Sequence, residues 1–325
     1  MNNFMRNMMA AAVIATFGFA GQAMSTELVV VSWGGAYTAS QQNAYHAPYM
    51  KKNSGVKIIN DDSAGSAVAK LRAMKQAGNT TWDLVDAVAS DAMMLCDEGL
   101  VDEIDHNSAL ASAPDGTSAT DDFGEFIVSP CFVPQIVYST TFGYRKDKVN
   151  RPMSSICDVF DLKSFPGKRA LEKKPINNLE WALICDGVAP SKVYDVLGTD
   201  AGVKQALAKL DTIKSKVVWW TSGSQTPQLL ADGEVVVGST YNGRLFALIE
   251  EQKQPVAMLW DWQVFDLDGW VVPSGGKNKA ETMKYLKFAT DTQRLADQAK
   301  YISYGPTRAS SAPLVGKHAK LGIDM

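Results

Sequence analysis

From residue 27 onward the chain alternates short β-branched apolar runs with longer stretches in which apolar residues return at helical spacing. Residues 27–33, ELVVVSW, read as a buried strand running into a tight turn at Gly34 and Gly35. Residues 37–52 read as a helix interrupted or bent near Pro48, 56–60 as a second strand, and 63–78 as a helix capped by Ser63 or Ser66 and stopped by Gly78. Residues 82–88, WDLVDAV, make a third strand. This order predicts an α/β lobe with a parallel sheet, and ligands of such sheets gather at the carboxyl ends of the strands. Trp33 and Tyr37 fall at the end of the first strand, and residues 86–90 near the end of the third.

The α/β pattern then repeats. Residues 107–122, rich in Ser, Ala, Thr, Asp and Gly, read as an irregular surface loop, and QIVYSTTFGYRKD (135–147) as a long extended run that leaves one lobe for the next. Strands are expected at 166–171, 217–220 and 235–241, and helices from 178, over 201–216 and at 226–234. DGWVVP (268–273) reads as a return crossing, and 280–302 as one long amphipathic helix. The division expected is 24–137 with 270–306 for the first lobe, and 138–269 with 307–325 for the second.

Composition sharpens this picture in three ways. The 325 residues are too many for one small domain, so two lobes are the default. A net charge of −3 with scattered Lys and Arg leaves no electrostatic footprint for nucleic acid. The opening MNNFMRNMMAAAVIATFGFAGQA has one cation at Arg6, an apolar run over 8–20, and small residues at Gly21 and Ala23. That is the plan of a secretory signal cleaved after Ala23, which predicts an exported, periplasmic and soluble mature protein. Export permits disulfides. The four cysteines, Cys96, Cys131, Cys157 and Cys185, allow three pairings that sequence does not choose among. Cys96 with Cys131 and Cys157 with Cys185 is favoured, since each pair closes a short loop; four buried free thiols are the alternative.

The densest chemistry lies in residues 239–273, where Tyr241, Trp260, Trp262, Phe265 and Trp270 are interleaved with Arg244, Asp261, Asp266 and Asp268. Aromatic faces attract cations and a carboxylate neutralises them, which suits an amine pocket, although three tryptophans packed in a sheet core would explain the same residues. SWGGAY (32–37) lacks the Lys and Ser/Thr of a phosphate-binding loop, so its glycines are read as a sharp turn that leaves Trp33 and Tyr37 facing a cleft. WWTSGSQTPQ (219–228) places Ser222, Ser224 and Gln225 after a strand, where they bind a ligand or cap the next helix. No histidine lies between His106 and His318, and no CxxC or metal-ligand cluster stands out. No enzyme, metal or cofactor is therefore expected.

SWGGAY, WDLV, IVYSTTFGY, FPGKRAL, QLLADGEV, YNGR, FDLDGWVVP and YISYGPTR stand in an order and spacing similar to that of periplasmic solute-binding proteins of the spermidine/putrescine ABC-importer family. The resemblance covers nearly all of the chain after the signal. It implies a two-lobed type II periplasmic-binding-protein fold, a small amine as ligand, an inner-membrane ABC permease as partner, and a monomer. It also implies site residues: Trp33 and Tyr37 as first-lobe aromatics, Tyr241 in place of a tryptophan, Asp268 as the ammonium-binding aspartate, Trp270 beside it, Tyr304 as a late aromatic wall, and Ser222 and Ser224 as ligand-facing serines. Two departures matter. Lys173 and Lys174 stand where polyamine binders carry acids, and Arg244 follows Tyr241 by three residues. A zwitterion such as a short ω-amino acid fits that pattern, with Asp268 at the ammonium and Arg244 at the carboxylate. Family members usually continue past GIDM with a further helical segment, so a short gene or a fragment is expected. A periplasmic amine sensor reporting to a signalling partner is the rival reading, and an exported hydrolase a more distant one.

Overall fold

The computed structural model describes residues 25–325, so the expected signal over 1–23 lies outside the described residues. Eight strands build one continuous sheet: β1 (Thr26–Val31), β2 (Val56–Asp61), β3 (Leu84–Val88), β4 (Val133–Arg145), β5 (Arg169–Glu172), β6 (Val217–Trp220), β7 (Val237–Tyr241) and β8 (Val256–Val271), in the order β2-β1-β3-β8-β4-β7-β5-β6. A two-residue strand β9 (Gly305–Pro306) adds to β4. The β1 strand is parallel to β2 and β3, and β5 is parallel to β6 and β7. Helices cover both faces of these parallel pairs, which is why Val30, Val31, Leu84 and Val85 form near-continuous apolar runs with no exposure.

The two halves are joined by β4 and β8, which are antiparallel to each other and to their outer neighbours. At ~3.3 Å per residue the 16 residues of β8 extend about 50 Å, enough to serve both halves. The ladder between them is broken twice. One shift inserts Gln135 between Pro134 and Ile136; the other sets residues 260–263 of β8 opposite Thr141 alone. Each half has its own apolar core on either side of the sheet. In the first half these centre on Tyr45, Trp270 and Tyr285 and on Leu71, Trp82 and Phe132; in the second, on Phe142, Phe165 and Trp181 and on Trp220, Leu245 and Leu248. This is the two-lobed α/β type II plan. Both disulfides form as favoured, Cys96–Cys131 and Cys157–Cys185.

Several local expectations change. The helix over 37–52 is unbroken from Gly35, because a π-helical turn at Gln42–His46 precedes Pro48 where the proline lacks an amide donor. The long helix over 280–302 is two, Lys279–Ala289 and Thr292–Gln298, since the Asp291 side chain accepts from the amide of Gln293 and starts a new helix. The loop over 107–122 carries the short helices His106–Ala109 and Ala119–Phe123, capped by Asp105 and Ser118.

Residues following Pro306 were expected with the second half, yet the first part of this tail is fixed to the first. Asp122, 3% exposed at its side chain, accepts from Arg308 Nη1 at 3.1 Å, from the Ser310 amide at 2.8 Å and from the Ser310 hydroxyl at 2.6 Å, and the Arg308 guanidinium covers the Phe123 ring at 4.6 Å. Only farther on does the tail meet the second half, where His318 stacks on Phe246. Removing one member of a fully buried ion pair strands the other. Asp122→Ala should lower stability by roughly 3–5 kcal/mol, seen as a reduced urea midpoint.

Candidate functional site

A small cavity of about 30 Å³ lies where the two halves meet. That is far below the roughly 300–1,000 Å³ typical of small-molecule sites, so the lining side chains stand close together, while the adjoining outer cleft, which shares Trp33, Tyr241 and Arg244 with it, holds about 410 Å³. Its walls come from element ends, as the parallel topology dictates: Trp33 follows β1, Val88 closes β3, Tyr241 closes β7, and Asp268 lies near the end of β8. Ile136 and Tyr138 rise from β4, Arg244 from the helix Asn242–Phe246, and Tyr304 from the segment before β9.

Two glycine positions make the approach possible. Gly34 and Gly35 have φ of 75° and 60°, turning the chain from β1 into its helix, and a Cβ on Gly35 would stand 3.2 Å from Arg244 Nη1. Arg244 Nη2 instead donates to the Trp33 carbonyl at 3.1 Å, so a side chain of the second half is bonded to backbone of the first. At Gly243 a Cβ would meet Tyr304 Cε1 at 2.6 Å and Ile302 Cγ1 at 2.8 Å. The adjoining Asn242 side chain donates to Ser303 O and accepts from the Ser139 amide, which locks the same seam.

Four tyrosines form the aromatic wall. The Tyr138 ring lies edge-on to Tyr241 at 5.3 Å and to Tyr304 at 6.2 Å, and Tyr37 lies 6.0 Å from Tyr304. Among them sits Asp268, 3% exposed, with one oxygen accepting from the Gly269 amide at 2.8 Å. Burial drives its carboxyl well above the ordinary value, and the neighbouring Asp86 pushes it further. A buried acid of this kind is stabilised by a cation that enters beside it. At the other pole the Arg244 guanidinium lies over the Tyr241 ring at 5.9 Å, and its buried Nε has no hydrogen-bond partner among the described residues, whereas the Trp33 indole N–H is on the Asp268 side, where it favours the charged carboxylate. A buried donor left unpaired marks where an acceptor atom of a ligand would fit. One carboxylate, one guanidinium and a ring of aromatic faces thus create a bipolar pocket.

The expected residues divide accordingly. Trp33, Tyr37, Tyr241, Arg244, Asp268 and Tyr304 converge on the cavity. Trp270 does not: it is fully buried in the first-half core, edge-on to Tyr45 at 5.5 Å, because it stands two residues beyond Asp268 but on the part of β8 covered by helices. Ser222 and Ser224 are exposed, with their hydroxyls 3.0 Å apart, and Ser222 borders only the wider outer cleft. The turn there is closed by Gln225, whose side chain accepts from the amides of Thr221 and Ser222. Trp260, Trp262 and Phe265 lie on the surface, roughly half exposed, where the 260–263 bulge flares from the sheet.

The structure also adds residues. Tyr138 belongs to the wall, and its position is legible in retrospect from the period-two run Ile136, Tyr138, Thr140 along β4. Glu172, directly after the GKRAL segment, is 8% exposed and faces the outer cleft, where Lys174 Nζ approaches it at 3.3 Å. The cations at 173 and 174 therefore do not leave that wall without an acid. Asp91 and Asp266 line the same outer space, and burial raises both carboxyls.

Residues 44–321 match the family described as bacterial extracellular solute-binding protein. The chain is 36% identical over 301 residues, 93% of its own length and 82% of the relative's, to the gamma-aminobutyric acid-binding protein of Pseudomonas aeruginosa. Among solved structures it resembles the Atu4243-GABA receptor, with 33% identity, a TM-score of 0.74, and 89% and 85% of the two chains covered. It also resembles the binding protein AgtB of A. tumefaciens R10 in complex with agropinic acid, with 30% identity, a TM-score of 0.78, and coverage of 90% and 85%.

The seam at Gly243 gives a direct test of the cavity's dependence on close approach. Gly243→Ala forces Tyr304 and Ile302 aside and should weaken ligand binding by about tenfold, the effect of an overpacking cost of roughly 1–3 kcal/mol. Calorimetric affinity measured beside an unchanged far-ultraviolet circular dichroism spectrum checks it.

Proposed function

The chain belongs to the bacterial extracellular solute-binding protein family, and from that premise we propose that it is the periplasmic substrate-binding subunit of an ABC importer for a short zwitterionic amine, γ-aminobutyrate or a close analogue. The ammonium group sits at Asp268 against the tyrosine and tryptophan faces, and the carboxylate is held by Arg244. The observation that carries this reading is the pairing of opposite charges across one small cavity: Asp268 from β8 and Arg244 from the helix after β7. The relatives that bind gamma-aminobutyric acid support it.

Mechanism follows from where these groups are anchored. Asp268 pairs with Val88 of β3 and so stands with Trp33 and Tyr37 in the first half, not with 138–269 as the expected division has it, while Tyr241 and Arg244 belong to the second, so a ligand with two charged ends contacts both halves and favours their closure. The closed form then delivers the ligand to an inner-membrane permease with no chemical change. Diamines are disfavoured by the same geometry. A second ammonium placed at the Arg244 pole would be repelled by roughly 1–4 kcal/mol at 4 Å, depending on how far water screens it.

Calorimetry should show γ-aminobutyrate bound at least about tenfold more tightly than putrescine. Arg244→Ala and Asp268→Asn should each weaken γ-aminobutyrate by about 30-fold or more, the cost of removing one member of a buried charge pair. Putrescine or spermidine binding more tightly than γ-aminobutyrate would replace the zwitterion with a polyamine, and wild-type affinity in Arg244→Ala would remove Arg244 from the site.

A further inference from the structure

Behind the cavity lies a second buried acid that the ligand-binding scheme does not use. Asp86, in the middle of β3, has no exposed surface. In the antiparallel ladder Asp86 faces Trp270 and Val88 faces Asp268, which puts Asp86 and Asp268 at diagonal positions on one face of the sheet. Diagonal neighbours in such a ladder lie roughly 7–8 Å apart at Cα, with the side chains closer. Two acids are thus stacked below one amine-binding pole.

The surroundings of Asp86 are unsuited to a charge. Gln41 Nε2 lies 3.0 Å from each carboxyl oxygen, and the Ser32 hydroxyl beside it is the other neutral donor that acts on the acid, both outweighed by burial. An ionised carboxylate offers about four acceptor positions. The titratable groups that act on Asp86 from the elements around it are Asp268 on β8, Tyr37 on the helix after β1, Tyr45 on the π-helical turn, Tyr285 on the helix Lys279–Ala289, and Asp62 after β2, all of them acids. Arg294, the cation behind Tyr45, is already engaged by Asp297. Gln41 is itself held, with its carbonyl accepting from the Ser32 hydroxyl at 2.6 Å. Gln135, the residue inserted at the first bulge of β4, lies 3.3 Å from the Gln41 amide and accepts from the Tyr37 hydroxyl at 3.1 Å. These neutral dipoles orient the acid and leave its charge uncompensated.

We propose that Asp86 is a positioning residue that keeps its proton at neutral pH, so that the amine pole presents a single negative charge, on Asp268, to a single ammonium group. Of the two acids, Asp268 is the one that ionises in the bound state, because it faces the cavity and already accepts from the Gly269 amide. With Asp86 neutral, the charges of Asp268 and Arg244 match those of a zwitterion one for one; an ionised Asp86 would leave a negative charge over and favour a second cation. The inference refines the ligand reading above and rests on it for its consequence, though the state of Asp86 can be read without any ligand.

Two measurements decide it. The first is the pH dependence of stability in wild type and Asp86→Asn. A carboxyl that holds its proton in the folded protein and loses it in the unfolded chain makes the wild type lose stability as pH rises above about 4, the value of an unperturbed aspartate. The variant lacks this slope, so its melting temperature relative to wild type should climb between about pH 4 and pH 8. The second is the infrared carbonyl stretch of a protonated carboxylic acid, expected in ligand-bound wild type at neutral pH and lost in Asp86→Asn. Parallel stability curves for the two proteins, or no protonated-acid band in the bound wild type, would overturn the proposal. Should Asp86→Asn fail to fold, Asp86→Ser replaces it in both measurements, because other buried acids, Asp91 and Asp266 among them, contribute to the same spectral region. Persistence of the band and the slope in a protein that does not bind γ-aminobutyrate would sink the ligand reading and leave a neutral Asp86 standing.

Discussion

The whole arrangement depends on a carboxyl group held out of water among aromatic rings without a cation of its own. Asp268 is buried beneath Trp33, Tyr37, Tyr138 and Tyr304, and burial raises the energy of its charged form. The cavity therefore has an uncompensated acid at one end, with the Arg244 Nε unsatisfied at the other. Both deficits are met by a ligand of opposite polarity at its two ends. The same requirement explains the two small residues at the seam. Gly35 admits the guanidinium and Gly243 admits the Tyr304 ring, which brings Arg244 against Trp33, 211 residues earlier in the chain, within one cavity.

Much of this was legible in the chain itself. β-branched runs located seven of the eight strands of the main sheet, because strands buried on both faces leave an apolar signal, whereas of β8 only the end was read, as the return crossing over 268–273. The two cysteine pairs that close short loops are those that form. Capping chemistry was read less well. Asp291 starts a new helix in the middle of a stretch whose apolar spacing continues without a break, and periodicity alone does not register a side chain accepting from the backbone. Pro48 gave the opposite error, since a π-helical turn absorbs what a proline ordinarily disrupts.

The site was legible where a residue's place on its strand fixed its direction, and obscure where the ladder slips. The stretch over 239–273 has the composition of an aromatic box, yet only Tyr241, Arg244 and Asp268 of it reach the cavity. Trp270 shares a sheet face with Asp268 but lies deeper, under the helices of the first half, and Trp260 and Trp262 sit on a four-residue bulge that no alternation pattern reveals. The tyrosine that completes the wall, Tyr138, came instead from the crossing strand β4. Gln135 is a similar case: its side chain serves the network under the cavity because the ladder takes one extra residue there.

The two disulfides carry a mechanical meaning through where they are placed. Cys96–Cys131 ties the helix Ala89–Asp97 to the approach to β4, inside the first half, and Cys157–Cys185 ties two helical segments inside the second. No covalent tether runs from one jaw to the other among the described residues. Each jaw is stiffened on its own, and the crossing strands β4 and β8 carry no such brace, so oxidation hardens the grip without locking one jaw to the other.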